Sequence, residues 1–397
     1  MFTPANRLKN LPPYAFAVIG QRIRQMTKEG IDVIRLDIGS PDNPPPPAVV
    51  EALTNSALQP GKHGYSGYQG TPEFRRAVAG YYAQRFHVQL DPDKEVLPLI
   101  GSKEGIVNLC LALLNDGDLV LVPDISYPSY SMGAFLAGAE VYWLPLREEN
   151  SYLPELDTIP EDVAARAKIL WVNYPNNPTG AVADLGCYEE IVAFCRKHQI
   201  LLASDNPYVE VTFDGYRAAS VLEVAGAKEI AVEFMSLSKT YNMAGWRMGA
   251  AVGNAEVLKL LLQVKSNVDS GHFLPIYEAG VTAIEQTSPA WEEERNHIYE
   301  RRRDRILETL PSIGLQARKS PGSLYVWARV LQGDGMTYAE KALNEAHVSI
   351  APGGIYGPGG EYYVRISLGT PDDRLEVALN RLQEWYTSKS HISDESL

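Results

Sequence analysis

The segment of residues 236–249, SLSKTYNMAGWRMG, places cations and hydroxyls at the end of a strand-like run. Ser236 and Ser238 flank a leucine, Lys239 follows them, and Arg247 comes further along the same segment. The segment contains no acidic residue, and unpaired charge is costly inside a protein. These residues alone leave two interpretations open: a site that binds an anion, or a solvated turn after a strand.

Further strand-like runs alternate with helical patterns through the middle of the chain. Several of them are apolar along their whole length, as is typical of strands that are buried on both faces of a sheet. Strands that alternate with helices predict an α/β domain with a mostly parallel sheet. The predicted strands cover residues 96–100, 118–124, 139–146, 168–175, 200–205, 231–238 and 247–253.

The two ends of the chain have a different pattern, which predicts one smaller α+β domain. The N-terminal part carries a helical face of Phe16, Ile19, Ile23 and Met26. The C-terminal part carries strand-like runs at 323–330, 348–352 and 362–369, then a helical face of Leu375, Leu379, Leu382 and Tyr386. The charged run at 286–310 predicts a long connecting helix, which we take as the boundary between the two domains. We therefore expect residues 1–45 and 286–397 to form the smaller domain and residues 46–285 the larger one.

Length and composition limit the classes of protein to consider. A single core stops growing well below 397 residues, so more than one domain is expected. The formal charge of −13 argues against nucleic-acid binding, because phosphates attract basic surfaces. No apolar run is long enough to cross a bilayer and the start has no apolar signal core, so we expect a cytoplasmic protein. The widely spaced Cys110, Cys187 and Cys195 predict free thiols and no metal site.

Polar residues follow the ends of the predicted strands, where ligands gather in doubly wound sheets. Each has an ordinary structural alternative, such as a helix N-cap for Ser102, a turn for Asn177 and a loop aromatic for Tyr127. Asp205 ends an apolar run, where a carboxylate is costly unless it is paired. The full set comprises Gly101, Ser102, Lys103, Tyr127, Asn177, Asp205, Tyr208, Ser236, Ser238, Lys239 and Arg247.

Together these residue types fit pyridoxal 5′-phosphate. The aldehyde of this cofactor needs an amine to form a Schiff base, and a lysine supplies it. Its pyridine nitrogen needs a carboxylate that keeps it protonated, because the protonated ring is the electron sink. Its phosphate needs hydroxyls, N–H groups at a helix N-terminus and an arginine. An aromatic side chain stacks on its ring.

The chain resembles the class I and II aminotransferases, which are fold type I pyridoxal-phosphate enzymes. The resemblance rests on NYPNNPTG (173–180), DNPY (205–208), SLSKTYNMAGWRMG (236–249) and YYVRISLG (362–369), in order along essentially the whole chain. It implies a mostly parallel, mixed seven-stranded sheet between helices, together with a small α+β domain built from both chain ends.

The same resemblance implies a role for each residue of the set. Lys239 is expected to form the Schiff base and to carry protons, Asp205 to bind the pyridine nitrogen, and Tyr127 to stack on the ring. Tyr208 and Asn177 are expected to bind the ring oxygen. The phosphate is expected to be held by Gly101, Ser102, the backbone of Lys103, Ser236, Ser238 and Arg247.

Three further residues receive substrate or subunit roles from the resemblance. Arg365, together with Asn177, is expected to grip the substrate carboxylate as a bidentate fork. Gly39, in LDIGSPD (36–42), resembles the small-residue loop that closes over the substrate. Tyr65, in HGYSGYQG (63–70), resembles the tyrosine that reaches the phosphate of the neighbouring subunit, which implies a homodimer with shared sites. A surface ion pair for Arg365 and a turn aromatic for Tyr65 are the structural alternatives.

The blocks RLKNLPPYAF (7–16), IGSPDNPPP (38–46) and VKSNVDSGHF (264–273) are most similar to a bacterial LL-diaminopimelate aminotransferase subgroup. This similarity implies that LL-2,6-diaminopimelate donates its amino group to 2-oxoglutarate. The loop YSGYQG (65–70) lacks the glutamate that a plant-like branch uses for the distal ammonium, so distal selection arises elsewhere or is absent. Lys103 is a candidate for binding a distal carboxylate.

Other functions are weighed against this one. Aminotransferases for alanine, aspartate or a broad range of amino acids share closely related blocks, and a lyase that uses the same cofactor stays open as well. A DNA-binding regulator with this fold is disfavoured by the acidic charge. A nicotinamide dehydrogenase is rejected, because GSKEG (101–105) lacks the G-x-G-x-x-G pattern.

Overall fold

The computed structural model describes residues 2–8 and 11–394. The helices are α1 (Ala15–Lys28), α2 (Pro47–Ala57), α3 (Pro72–Phe86), α4 (Ser102–Leu113), α5 (Ser129–Leu136), α6 (Glu161–Arg166), α7 (Leu185–His198), α8 (Leu237–Thr240), α9 (Ala255–Lys265), α10 (Leu274–Gln286), α11 (Pro289–Thr309), α12 (Gly335–Glu345) and α13 (Asp372–Asp394). The strands are β1 (Ile34–Arg35), β2 (Val96–Leu99), β3 (Leu119–Pro123), β4 (Glu140–Leu144), β5 (Ala167–Val172), β6 (Leu201–Asp205), β7 (Ala231–Ser236), β8 (Gly249–Gly253), β9 (Leu315–Gln316), β10 (Tyr325–Val330), β11 (Val348–Ser349), β12 (Ala351–Pro352) and β13 (Tyr363–Ser367).

The largest sheet has seven strands in the order β2-β8-β7-β6-β5-β3-β4. Strand β8 is antiparallel to both of its neighbours, and the other neighbouring pairs are parallel. This confirms the predicted mostly parallel, mixed sheet of a fold type I α/β protein. Because β2, β5, β6 and β7 run in the same direction, the residues that follow their C-terminal ends meet at one edge of the sheet.

Both faces of this sheet are buried under helices, which explains why its strands are apolar along their length. On one face, Leu109 of α4 and Leu261 of α9 belong to a cluster with Trp171 and Phe234 of the sheet. On the other face, helices α3, α7 and α10 contribute to a larger cluster that includes Leu170, Leu202 and Met235. The sheet is therefore a rigid layer, and the site residues lie at its edge.

Two smaller sheets combine residues from both ends of the chain. Strand β1, which the sequence analysis did not predict, pairs in parallel with β11 through Ile34 and Val348. Strands β12, β13, β10 and β9 form an antiparallel sheet in that order. Ile34 and Leu36 share a buried cluster with Val348 and Leu379, which anchors the N-terminal segment to the C-terminal one. The predicted domain limits at residues 45 and 285 stay a prediction.

Several predicted strand limits are wrong. Strand β5 ends at Val172 and not at residue 175, and two of the others lie in the segment 236–249. Strand β7 ends at Ser236 and not at residue 238, because the Ser236 hydroxyl accepts a hydrogen bond from the Ser238 N–H and caps α8. Strand β8 begins at Gly249 and not at residue 247, because Arg247 has a φ of 61°, a left-handed conformation that strands do not use. Lys239 thus lies on a short helix and not on a strand.

The three cysteines lie within helices α4 and α7 and form no disulfide. Cys110 in α4 and Cys195 in α7 are buried, Cys187 is partly buried, and all three are free thiols, as predicted. Burial raises the pKa of Cys187 to about 11. Within residues 2–8 and 11–394, no helix combines the length and the apolar character that crossing a membrane requires.

A buried carboxylate in β7 joins the sheet to the connections around it. Glu233 accepts hydrogen bonds from the hydroxyls of Tyr82 at 2.9 Å, Ser204 at 3.1 Å and Ser220 at 2.7 Å, and from the Val221 N–H at 3.2 Å. Burial raises the pKa of Glu233, and the four donors limit the rise. A polar group in this position is tolerated only because each oxygen is hydrogen-bonded.

Replacing this carboxylate should destabilise the protein. Glu233→Ala leaves three buried hydroxyls and one N–H without their acceptor, and we expect the free energy of unfolding to fall by about 3 kcal/mol or more. Urea-induced unfolding measures the change. Glu256→Ala is the control, because Glu256 is exposed in α9 and its loss should cost about 0.5 kcal/mol or less. Equal losses for the two variants would contradict the prediction.

Candidate active site

The strand ends and the N-terminal segment enclose a cavity of about 400 Å³. Twelve of the predicted residues line it, namely Gly39, Ser102, Lys103, Tyr127, Asn177, Asp205, Tyr208, Ser236, Ser238, Lys239, Arg247 and Arg365. The remaining lining residues are Tyr14, Phe16, Arg35, Ile38, Asn173, Pro207, Ala244 and Tyr325. One cavity therefore brings together residues that lie more than three hundred positions apart in the sequence.

Asp205 is the last residue of β6 and is only 3% exposed. Its Oδ2 accepts a hydrogen bond from the Tyr130 hydroxyl at 2.7 Å, whereas its Oδ1 is buried without a partner among the described residues. Burial, with a smaller contribution from the charge of Glu233, raises the pKa of Asp205 to about 7 against the opposing effect of the Tyr130 hydrogen bond. A cationic donor at Oδ1 would reverse this shift and satisfy the oxygen.

Asn173, which the sequence analysis did not single out, links the ends of β5 and β6. Its amide nitrogen donates to the backbone carbonyl of Asp205 at 2.6 Å, and its amide oxygen accepts from the Asn177 N–H at 2.7 Å. Asn176 holds the following turn through Thr179. These bonds tie Asn177 to the end of β6, so the asparagine-rich segment is a scaffold as well as a source of ligands.

Lys239 projects from α8 into the cavity, where its Nζ hydrogen-bonds to the carbonyl oxygen of Gly39. Burial, together with the charges of Arg365 and Arg247, lowers the pKa of Lys239 to about 7. Its amine is therefore about half neutral near neutral pH, which a nucleophilic or proton-carrying lysine requires. The contact with Gly39 brings the predicted closing loop directly against the lysine.

The predicted phosphate-binding residues surround the first turn of α4. Gly101 precedes this turn with a φ of 73°, and a Cβ there would collide with the guanidinium of Arg247. Arg247 is held by its own bond to the Ala244 carbonyl at 2.9 Å and by His272, whose Nε2 contacts the Arg247 carbonyl at 2.7 Å. Helix N–H groups, serine hydroxyls and a guanidinium therefore converge, which is the chemistry that binds a phosphate.

Arg365 extends from β13 into the cavity and is held on both sides of its guanidinium. It donates to Asn177 Oδ1 at 3.0 Å and to the Asp37 carbonyl at 2.6 Å. Its guanidinium carbon lies 3.9 Å from the ring centre of Tyr325 and 4.9 Å from that of Tyr356. No carboxylate of a described residue pairs with it, and its Nε has no partner among them. The alternative of a surface ion pair is wrong, because Arg365 is 3% exposed.

The two predicted tyrosines occupy different surroundings. Tyr208 is 3% exposed, and its hydroxyl lies 2.8 Å from that of Tyr325. Burial and the neighbouring Tyr325 raise the pKa of Tyr208 well above its ordinary value, so the phenol keeps its proton. Tyr127 packs edge-on against Tyr130, with ring centres 6.0 Å apart, and burial raises its pKa too. Tyr127 thereby shields the side of the cavity next to Asp205.

Two predicted residues do not line the cavity. Gly101 lies beneath Arg247, as described above, and supports the cavity through its backbone. Tyr65 is 91% exposed and touches the rest of the chain by an isolated bridge to Phe273. Within one chain it cannot act on the cavity, so its role at a neighbouring subunit's site stays a prediction.

Three functional neighbours were missed by the sequence analysis: Tyr130, Asn173 and Tyr325. Asn173 lies four positions before Asn177 in the motif NYPNNPTG, which is a usable signal. Tyr325 lies in an apolar run and Tyr130 between two serines, and neither setting separates a functional tyrosine from one that only packs. Only the folded chain distinguishes them from other buried tyrosines.

The cavity is tested for pyridoxal phosphate by the groups that it leaves unsatisfied. The unpartnered Asp205 Oδ1 suits a pyridinium N–H, and the neutral fraction of the Lys239 amine suits an aldehyde. The Arg247 cradle suits a phosphate dianion, which would also balance the two arginines. The residues present therefore fit the cofactor.

Comparison with known proteins gives matches along nearly the whole chain. The family model described as aminotransferase class I and II matches residues 31–382. The LL-diaminopimelate aminotransferase of Dehalococcoides mccartyi is 45% identical over 379 residues, covering 95% of this chain and 97% of that protein. The LL-diaminopimelate aminotransferase of Aquifex aeolicus is 45% identical over 384 residues, covering 96% and 99%.

Solved structures give the same fold. The apo form of BacF from Bacillus subtilis has a TM-score of 0.93 at 37% identity, covering 97% of this chain and 98% of that one. A probable N-succinyldiaminopimelate aminotransferase from Thermus thermophilus has a TM-score of 0.86 at 39% identity, covering 93% and 99%. The aspartate aminotransferase from Thermus thermophilus with maleate has a TM-score of 0.90 at 30% identity, covering 97% and 100%.

The pKa of Lys239 predicts how pyridoxal phosphate binds to the cofactor-free protein. Condensation requires the neutral amine, so the rate of binding should rise as the pH passes through about 7 and then level off. The growth of the visible absorbance band after mixing measures this rate. A rate that keeps rising beyond about pH 9, as for an ordinary lysine, would contradict the prediction.

Proposed function

The chain belongs to the class I and II aminotransferases, and from this premise we propose that it transfers an amino group from LL-2,6-diaminopimelate to 2-oxoglutarate with pyridoxal 5′-phosphate as cofactor. The observation that carries the proposal is a single cavity that holds a buried carboxylate with one free oxygen, a lysine with a lowered pKa, and an arginine without a carboxylate partner. Transamination needs these three groups together.

Different residues of the cavity would bind different parts of the cofactor. When bound, pyridoxal phosphate supplies an electron sink that stabilises negative charge on the α-carbon of the substrate. Asp205 holds a proton at the ring nitrogen through its free Oδ1, and Tyr130 fixes the other oxygen of the same carboxylate. Arg247 and the N–H groups at the start of α4 hold the phosphate.

Lys239 moves the proton. Its Nζ would accept the proton from the α-carbon of the substrate and return a proton to the carbon on the other side of the amino nitrogen, which is general base and then general acid catalysis by one group. A pKa of about 7 suits both directions, because neither protonation state is strongly favoured. The hydrogen bond from Nζ to the Gly39 carbonyl keeps the amine in contact with the loop that is predicted to close over the substrate.

Arg365 orients the substrate. Its guanidinium is already fixed by Asn177 and by the Asp37 carbonyl, so a carboxylate docks on a fork whose conformational entropy has been lost in folding. The aromatic rings of Tyr325 and Tyr356 exclude water from this fork. The α-carboxylate is thereby placed so that the α-proton faces Lys239.

We further propose that the active unit is a homodimer. Tyr65 is 91% exposed, and Val268 and Phe273 are exposed apolar residues, with Phe273 in contact with Tyr65. Apolar groups of this kind favour coverage by another protein surface. Tyr65 then completes the phosphate site of the partner subunit.

The choice of diaminopimelate as donor rests on the relatives that are 45% identical over nearly the whole length of both chains. The 30% identical aspartate aminotransferase supports the reaction type without this substrate. Lys103 lines the same cavity as Arg365, and its ammonium lies 4.1 Å from the ring centre of Tyr14. A substrate with charged groups at both ends is therefore compatible with the cavity.

The proposal is tested by titrating the cofactor-loaded protein with amino acids. We expect LL-diaminopimelate to bleach the visible band and 2-oxoglutarate to restore it, whereas glutamate, being the other half of the pair, should bleach it too. Alanine and aspartate should bleach it slowly or not at all. Lys239→Ala should lose the lysine-bound visible band and lower turnover by about 10²–10⁴-fold.

The outcomes separate the parts of the proposal. Rapid bleaching by alanine or aspartate without bleaching by LL-diaminopimelate would keep the aminotransferase and reject the donor. Release of ammonia without restoration by 2-oxoglutarate would indicate a lyase. A visible band that survives Lys239→Ala would reject the assignment of the lysine.

The carboxylate fork gives a second prediction. Arg365→Lys keeps the charge and removes the two-pronged geometry, so we expect the KM for the amino donor to rise by about 10–100-fold. Steady-state kinetics measure this change. Arg374→Lys is the control, because Arg374 pairs with Asp32 on the surface and should leave the KM unchanged. An unchanged KM in Arg365→Lys would show that another residue binds the carboxylate.

A further inference from the structure

Tyr325 is a buried tyrosine that the sequence did not single out, and the proposed mechanism uses only its ring, which excludes water from Arg365. It begins β10 and lies opposite Ser367 of β13, two residues from Arg365 on the same face of the sheet. A diagonal neighbour on an antiparallel pair is within reach of an aromatic side chain. The register thus places the ring of Tyr325 beneath the guanidinium, 3.9 Å from its carbon, with Tyr325 only 1% exposed.

The hydroxyl of Tyr325 contacts two further parts of the site. It lies 2.8 Å from the hydroxyl of Tyr208, which follows the end of β6. It also occupies the space next to Gly39, where a Cβ would collide with it. One side chain therefore touches the carboxylate-binding arginine, the phenol proposed for the cofactor, and the loop whose carbonyl contacts Lys239.

The two phenol hydroxyls of Tyr208 and Tyr325 can donate only two hydrogen bonds between them. Each hydroxyl has one proton to donate, so a hydrogen bond between Tyr208 and Tyr325 uses only one of the two. If Tyr325 donates to Tyr208, the proton of Tyr208 stays available for an oxygen in the cavity. If Tyr208 donates to Tyr325 instead, its proton is no longer available to an oxygen in the cavity. The function of Tyr208 as a donor therefore depends on its neighbour.

We propose that Tyr325 is a positioning residue that couples the two halves of the site: its ring supports the guanidinium of Arg365, and its hydroxyl donates to Tyr208 so that Tyr208 donates into the cavity. The proposal rests on the proposed function, because Tyr208 needs an acceptor there. A hydrogen bond received by Tyr208 also polarises its own O–H and makes it a stronger donor. The ring contact is a cation–π interaction in a desolvated position.

The ring and the hydroxyl can be separated by two substitutions. Tyr325→Phe keeps the ring and removes the hydroxyl, and Tyr325→Leu removes both. Tyr338→Phe is the matched control, because Tyr338 is a buried tyrosine whose hydroxyl donates to the Ile313 carbonyl at 2.8 Å and does not line the cavity. The readouts are the pH midpoint of the visible absorbance of the cofactor-loaded protein and the Kd of the dicarboxylate maleate by titration calorimetry.

The two substitutions should change different readouts. In Tyr325→Phe the weaker Tyr208 donor should raise the pH midpoint by about 0.5–1 unit, with the Kd of maleate unchanged. In Tyr325→Leu the Kd of maleate should also rise, by about fivefold or more. Tyr338→Phe should match the wild type in both readouts.

The outcomes distinguish this proposal from the proposed function. A wild-type protein without a visible band in the presence of pyridoxal phosphate would overturn both. If the wild type shows the visible band and Tyr325→Phe has the same pH midpoint as the wild type, the role of the hydroxyl is overturned. If Tyr325→Leu binds maleate with an unchanged Kd, the role of the ring is overturned. Tyr325→Phe removes one atom and remains decisive for the coupling if Tyr325→Leu does not fold.

Discussion

The site depends on a carboxylate that folding buries and satisfies only in part. Tyr130 donates to one oxygen of Asp205, and the other oxygen, in the lining of the cavity, has no partner in the part of the chain that the structure describes. The seven-stranded sheet makes this arrangement possible, because β6 is flanked by β5 and β7 and its last residue lies deep at the edge of a packed layer. The unfavourable free energy of burying the Asp205 carboxylate is offset only when a cationic donor binds to its second oxygen. The folded chain is therefore suited to one class of ligand.

The three cationic side chains of the cavity favour anionic groups on the ligand, just as Asp205 favours a cationic donor. Lys239, Arg247 and Arg365 line the same cavity, and the two arginines help to lower the pKa of the lysine. An anionic group beside Arg247 and a carboxylate on Arg365 would reduce the repulsion that the lysine experiences. The protonation of Lys239 is therefore coupled to what the two arginines hold. Phosphate and substrate carboxylate tend to raise its pKa, and exclusion of water tends to lower it.

The sequence predicted the sheet well, because strands buried on both faces carry a continuous apolar signal that depends little on their neighbours. It predicted the strand-end residues because polar groups there interrupt this signal. It missed the limits of β7 and β8, since Ser236 acts as a helix cap and Arg247 adopts a left-handed backbone, and both depend on local geometry. It missed Tyr130 and Tyr325, because a tyrosine that packs and a tyrosine that donates a selective hydrogen bond have the same sequence pattern.

The cavity lies between the edge of the large sheet and the small antiparallel sheet. Asp205 ends β6 and Lys239 lies on α8 directly after β7, whereas Arg365 and Tyr325 belong to the small antiparallel sheet. The Gly39 segment runs between them and contacts Lys239. A substrate that bridges Arg365 and the cofactor site must therefore bind both layers at once. Its carboxylate is held by one layer and its α-carbon is presented to the other, so any movement of the small sheet changes the distance between the reacting carbon and Lys239. The hydrogen bond between the hydroxyls of Tyr208 and Tyr325 joins the segment after β6 directly to β10.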